Sequence, residues 1–540
     1  VEEIANASRA INHSLGGEDR KTFEQLQGLR TQLATLSYRG PGSLSPAEYQ
    51  QRLRSLSEEG DALETQLTRR SASLRALSAL PSPADIVDRV AAALPKDGAL
   101  VEFVAYRDRP VVPKPGTPLA QLPGELRYLA LVLLPNSTLH TVDLGPIADI
   151  DQAASTFREA LASSGAAWQG PARALHSRVY LPLRPLLGNA RRLFLSPDGQ
   201  LNLVPFAALH DGRRILVDAF DITYLTSGKE LLPRPEDTAP TRLVVVVADP
   251  DLDSPSTEPL LVTQTAADPV ESAALPERVD SSLRAELADR PFPPLPGTRK
   301  EAEAIKSLFP EAQLLLGSAA TKEALLKLHT PDILHIATHG FFLGDTATPH
   351  ASRAVGNIGA VAEAGPLQSP PDPLLRSGLV LAPAQDTAAP SGSRRYADSL
   401  VTALELAGLD LWGTQLVVLS ACDTGRGDVK LGQGVYGLRR ALLVAGAETV
   451  VTSLWKVNDE TTRELMEAYY RHLLAGHGRT TALRRAMLEL RQKWPHPHNW
   501  APFISLGQDA PLRRLAPGTP SQPTSHAPSA PESAHAGLVG

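Results

Sequence analysis

Residues 414–427 read TQLVVLSACDTGRG. The run 415–420 is short, apolar and β-branched, the composition of a strand buried on both faces. It breaks at Ala421 and Cys422 into a segment carrying Gly425 and Gly427, and a helical pattern opens near residue 432. Strand, turn and helix in that order form a unit of an α/β sheet, and such sheets bind ligands beyond the carboxyl ends of their strands. Cys422 stands at that end. A free thiol, with a pKa of about 8.5, needs a base or a positive neighbour to become a thiolate.

The matching segment is ILHIATHGFF (333–342), another apolar strand, with His339 expected at its carboxyl end. If the two strands lie side by side in parallel, His339 and Cys422 meet at one sheet edge although 83 residues (422 − 339) separate them. The backbone amides of Gly340 and Cys422 then fit an oxyanion hole, because glycine lets a substrate carbonyl approach closely. The spacing leaves a plainer reading open: a cysteine ending a buried strand also serves as a small core residue, and a strand histidine as a structural one. His335, on the same strand face but deeper, reads as structural.

Outward from these two segments, strands are expected at 99–106, 128–134, 138–144, 192–195, 243–248, 313–316, 378–382, 449–454 and 503–506. Helices are expected at 146–166, 297–309, 319–328, 432–445, 460–474 and 479–492. That alternation predicts a mostly parallel α/β sheet with helices on both faces. Ahead of it, Phe23, Leu26, Leu29, Leu33 and Leu36 make one apolar stripe of a helix over 21–38. RGPGSLSP (39–46) breaks it, and Ser45, Pro46 and Glu48 signal a capped start of a second helix. The chain divides into a helical hairpin (1–80), an α/β region (81–190), a main core (191–510) with inserted loops at 252–296 and 344–375, and a disordered tail (511–540).

Composition narrows the function. The 540 residues carry 53 basic and 59 acidic side chains, a net charge of −6, which does not suit a nucleic-acid binder. One cysteine excludes an intrachain disulfide and a cysteine-cluster zinc site, and fits a reducing compartment. The longest apolar runs are far short of the ~18 residues of a membrane span, and VEEIANASRA lacks the pattern of a signal peptide. A cytoplasmic location is therefore expected, without membrane, metal or cofactor. An opening on Val1 is expected of a fragment or a processed form. Proline is abundant, 47 of 540 residues, and concentrates in the loops and the tail.

The stretch from about 172 to 507 resembles the CHAT domain, a caspase-like peptidase module often found after tetratricopeptide repeats and related to caspases and separases. The resemblance rests on RRLFLSPDGQLNLVPFAAL (191–209), LPGTRKEAEAI (295–305), HIATHGFF (335–342), SGLVLA (377–382), TQLVVLSACDTGRG (414–427), GVYGLRRALLVAGAETVVTSLWKVND (434–459) and NWAPFISLG (499–507), in the family's order. It implies a caspase-like fold, with Cys422 as nucleophile, His339 as general base and then acid, and oxyanion amides from Gly340 and Cys422. Such sites often work without a carboxylate, and none is assigned. By the same resemblance, 84–190 can be a pseudo-caspase half packed on the active one.

SLWKVND (453–459) resembles the separase stretch in which an aspartate lines the pocket for the residue before the cut. The corresponding Asp459 would favour Arg or Lys there. Equally, Asn458 or Asp459 can simply cap the helix that follows. Asp423 is a second acidic candidate, and Ser420 stands where basic-cutting metacaspases place an aspartate. Within the matching motifs from His335 onward the only arginines are Arg426, Arg439 and Arg440, so a pocket for aspartate is not expected. The resemblance implies a regulated bacterial cysteine endopeptidase acting on a dedicated protein partner, in immunity or programmed cell death, and controlled by a sensor module. The alternative is a scaffold whose helical arm binds partners while the dyad idles; a different hydrolase or acyltransferase on the same nucleophile is a third reading.

Overall fold

The computed structural model describes residues 17–39, 44–70, 85–109, 124–232, 243–252, 292–342, 373–383, 399–420, 428–430, 434–455 and 458–513. The expected loops at 252–296 and 344–375 fall for the most part outside the described residues, as do Cys422, Asp423 and everything after Arg513.

The strands are β1 (Gly98–Asp108), β2 (Glu125–Leu133), β3 (Leu139–Pro146), β4 (Arg192–Ser196), β5 (Asp221–Tyr224), β6 (Val244–Pro250), β7 (Gln313–Gly317), β8 (Ile333–Ala337), β9 (His339–Phe342), β10 (Ser377–Val380), β11 (Leu400–Thr402), β12 (Leu416–Leu419), β13 (Asp428–Lys430), β14 (Gly434–Tyr436), β15 (Thr449–Ser453) and β16 (Phe503–Gly507). The helices are α1 (Gly17–Arg39), α2 (Pro46–Arg70), α3 (Ile86–Ala93), α4 (Ile147–Leu161), α5 (Gln169–Val179), α6 (Pro296–Leu308), α7 (Lys322–Leu326), α8 (Ala403–Leu406), α9 (Leu438–Val444), α10 (Asp459–Leu474), α11 (Arg479–Lys493) and α12 (Pro497–Trp500).

Eleven strands form one sheet in the order β3-β2-β1-β4-β5-β16-β15-β12-β8-β6-β7. Seven of its ten ladders are parallel; β3/β2, β2/β1 and β15/β16 are antiparallel. Strands β8, β12, β15 and β16 are buried at every residue. Successive side chains point to opposite faces, so both faces are covered there. This is the expected mostly parallel α/β sheet. β1 pairs with β4, so hydrogen bonds cross the boundary expected at residue 190.

The hairpin of α1 and α2 precedes the sheet. Ser45 and Glu48 form the capping box read from the sequence: Ser45 N donates to Glu48 Oε2 at 2.8 Å, and Glu48 N to Ser45 Oγ at 3.4 Å. Those bonds hold the Glu48 carboxyl below its usual pKa. Gln27 Nε2 donates to the carbonyl of Gly408, just past α8, and ties the arm to the body.

Three expectations need correction. His339 does not end the strand at 333–338. The chain leaves the sheet at Thr338, whose Oγ1 donates to Val380 O at 2.5 Å, and His339 opens β9, which pairs antiparallel with β10. The helix expected from 432 starts only at Leu438, because Gly434–Tyr436 is taken up by pairing with β13. The tail does not begin at 511: Leu512 is 5% exposed, and Arg513 Nη2 meets Glu448 Oε1 at 2.7 Å. An apolar side chain and a cation with a partner to reach are enough to dock three residues of otherwise aperiodic sequence.

Candidate active site

β8 and β12 are neighbours and parallel, with Leu416 opposite Ile333 and Leu419 opposite Ile336. The offset along this ladder is 83 residues (416 − 333), the same that separates His339 from Cys422 in sequence. Ser420 N donates to Ile336 O at 2.9 Å and carries the pairing one step past β12. Cys422 follows two residues later, outside the described residues together with Asp423.

His339 is half-buried, with its neighbour Gly340 buried opposite Leu379 in the β9/β10 ladder. Its Nε2 lies 2.6 Å from Pro293 O. A carbonyl only accepts, so Nε2 carries the hydrogen, and in the neutral ring Nδ1 then holds a lone pair. The Phe292 ring packs on the imidazole at 5.4 Å between centroids, tilted by 57°. Two adjacent residues thus set the plane and the tautomer of His339. Sequence reading missed both: a backbone carbonyl has no residue signature, and Phe292 lies three residues ahead of the motif at 295–305.

His335 is structural, as its depth implied. It is fully buried, with Nδ1 2.9 Å from Tyr470 Oη on α10. Its Nε2 lies 3.1 Å from Glu301 Oε1 on α6, without the alignment of a hydrogen bond. Burial pushes the Tyr470 hydroxyl well above its ordinary pKa, so it stays protonated.

The acidic candidate Asp459 is the first residue of α10 and is exposed. The capping role belongs to its neighbour: Asn458 Oδ1 accepts from Glu460 N at 2.8 Å and from Thr461 N at 3.4 Å. The Asp459 carboxylate instead lies over Gly297 in the first turn of α6, in the space a β-carbon on residue 297 would take. That turn is fixed by Thr298, whose Oγ1 donates to Leu295 O at 2.7 Å and accepts from Asp249 N at 3.0 Å.

Arg439 points elsewhere. It is buried in α9, its Nη1 donates to Asn202 O at 3.2 Å, and burial lowers its pKa to about 10. A guanidinium rarely gives up its proton in a protein, so Arg439 stays charged at a cost in desolvation. Arg439 and Arg440 border a cavity of about 30 Å³ beside Tyr224 and Thr226, room for a water and little more.

Among the described residues no helix is long and apolar enough to cross a membrane.

The chain is 26% identical over 363 residues to tetratricopeptide repeat protein 28 of Mus musculus, and equally to that of Homo sapiens; the match covers 63% of this chain and 13% of each relative. The Saccharomyces cerevisiae separase–securin complex aligns over 93% of this chain and 36% of that chain, at 10% identity and a TM-score of 0.40; at that score the likeness adds nothing to what the sheet itself shows. The family model described as the CHAT domain matches residues 169–508, well over half of the sequence. The chain therefore belongs to the CHAT domain family.

Proposed function

We propose that the chain is a cysteine endopeptidase with a His339–Cys422 dyad. The observation that carries this reading is the 2.6 Å contact between His339 Nε2 and Pro293 O, which puts the ring hydrogen on Nε2 and the basic lone pair on Nδ1. The Cys422 thiol gives its proton to Nδ1, and the thiolate adds to the substrate carbonyl carbon. The oxyanion takes hydrogen bonds from the amides of Gly340 and Cys422. The imidazolium returns the proton to the departing amine as the C–N bond breaks, leaving a thioester. A water molecule, deprotonated by the same nitrogen, then releases the new carboxyl end and the thiol.

The substrate is a dedicated protein partner. Within the pocket, Asp459 favours Arg or Lys before the cut, with Asp423 as a second acidic contributor. Regulation comes from a sensor module upstream or on a separate chain, a reading supported by the tetratricopeptide repeats in the names of the relatives. A cytoplasmic role in bacterial immunity or programmed cell death fits a peptidase held for one target.

A peptide library cleaved by the wild-type chain tests this. Turnover lost in both Cys422→Ala and His339→Ala, with the fold retained, is the expected result. Cleavage by Cys422→Ala at the wild-type rate would overturn the dyad, and absence of any cleavage by the folded wild type would favour the scaffold reading.

A further inference from the structure

Asp459 has an unusual position for the first residue of a helix. Its neighbour Asn458 already caps α10. Its own carboxylate reaches across to another helix, over Gly297. Five residues before Gly297 lies Phe292, packed on His339, and four before it Pro293, whose carbonyl holds Nε2. The link between them, PFPPLP (291–296), is half proline or more. Proline fixes φ, so such a segment transmits a displacement along its length and does not absorb it.

We propose that Asp459 is a positioning residue for His339, acting through Gly297 and the proline strap at 292–297. Gly297 is needed because any side chain there would overlap the carboxylate. The charge also suits its place, since the first turn of a helix favours an anion. A shift at Gly297 carries to Pro293, lengthens its contact with Nε2–H and frees the imidazole to rotate. The positioning itself rests only on contacts at His339; its catalytic consequence rests on the dyad reading above.

Two variants of the full chain, Gly297→Ala and Asp459→Ala, test it with two readouts. The first is turnover of matched peptides with Arg or Met before the cut. Positioning predicts that kcat falls for both peptides by one common factor, on the order of tenfold, with KM little changed. Any extra loss on the Arg peptide alone belongs to the pocket. The second is the pH dependence of iodoacetamide alkylation of Cys422, the sole cysteine, which needs no substrate turnover. A weaker Pro293 acceptor makes the imidazolium less stable, so the thiolate should appear at higher pH in both variants. An unchanged alkylation profile, or a loss confined to the Arg peptide, overturns the proposal. If Gly297→Ala fails to fold, Asp459→Ala decides alone. If His339→Ala leaves the wild-type profile unaltered, it is the dyad reading that has failed.

Discussion

In the proposed dyad His339 acts as a base through Nδ1, because its Nε2 is engaged with Pro293 O. The Pro293 carbonyl does the orienting that a carboxylate does in a triad, but it adds no charge and leaves no mark in the sequence. The sequence suggests His339 and Cys422 as a pair because each follows an apolar run, and the structure adds that the two runs, β8 and β12, are parallel neighbours. Pro293 and Phe292 were not legible, and Asp459 could not be told from Asn458 as a cap until the first turn of α10 was seen. The two histidines of HIATHGFF make a contrasting pair. His335→Ala leaves the buried Tyr470 hydroxyl and Glu301 carboxylate without their shared neighbour. It should cost at least about 2 kcal/mol, seen as a lower thermal midpoint. His339→Ala removes a half-buried side chain at the rim and should melt close to wild type while turnover disappears.

At the scale of elements, apolar runs betrayed the long strands, and the capping box marked the start of α2. β9, β13 and β14 escaped because strands of three or four residues depend on partners distant in sequence, which propensity does not encode. Ser45→Ala should cost about 1 kcal/mol, and Leu26→Ala, at a site 1% exposed, about 2–5 kcal/mol. Urea titration of the arm, followed by a probe on α1, checks both. Asp509 gives a pH test. It caps α11 from outside, its Oδ1 accepting from Thr480 N at 2.9 Å, and burial first of all raises its pKa above 3.8. The folded chain therefore keeps this proton at a pH where the unfolded chain has lost it. In that window stability falls as pH rises. Asp509→Asn retains the accepting oxygen and should flatten the fall, measured by melts between about pH 4 and about pH 7.

Over the whole molecule, β1 to β5 share one sheet with β6, β7, β8, β12, β15 and β16. Arg439, downstream of Cys422, is held by Asn202 in the turn after β4, and Phe103 on β1 packs 5.7 Å from Phe206. A chain cut to begin at residue 191 exposes the β4 edge and should aggregate when expressed alone. The far end behaves similarly: ending the chain at residue 510 removes Leu512 and the Arg513–Glu448 pair. That should cost about 1.5–3 kcal/mol for the apolar side chain alone, read by thermal melt against a chain ending after Arg513. The central proposal is that His339, two residues past β8 in sequence, activates Cys422, three residues past β12. The most direct measurement is the labelling rate of Cys422 by a peptide thiol probe, read as intact mass in wild type and in His339→Ala. With one cysteine in the chain, any adduct is on Cys422. The account predicts a single adduct on the wild type and labelling at least roughly a hundredfold slower in His339→Ala. Equal rates in the two proteins would contradict it.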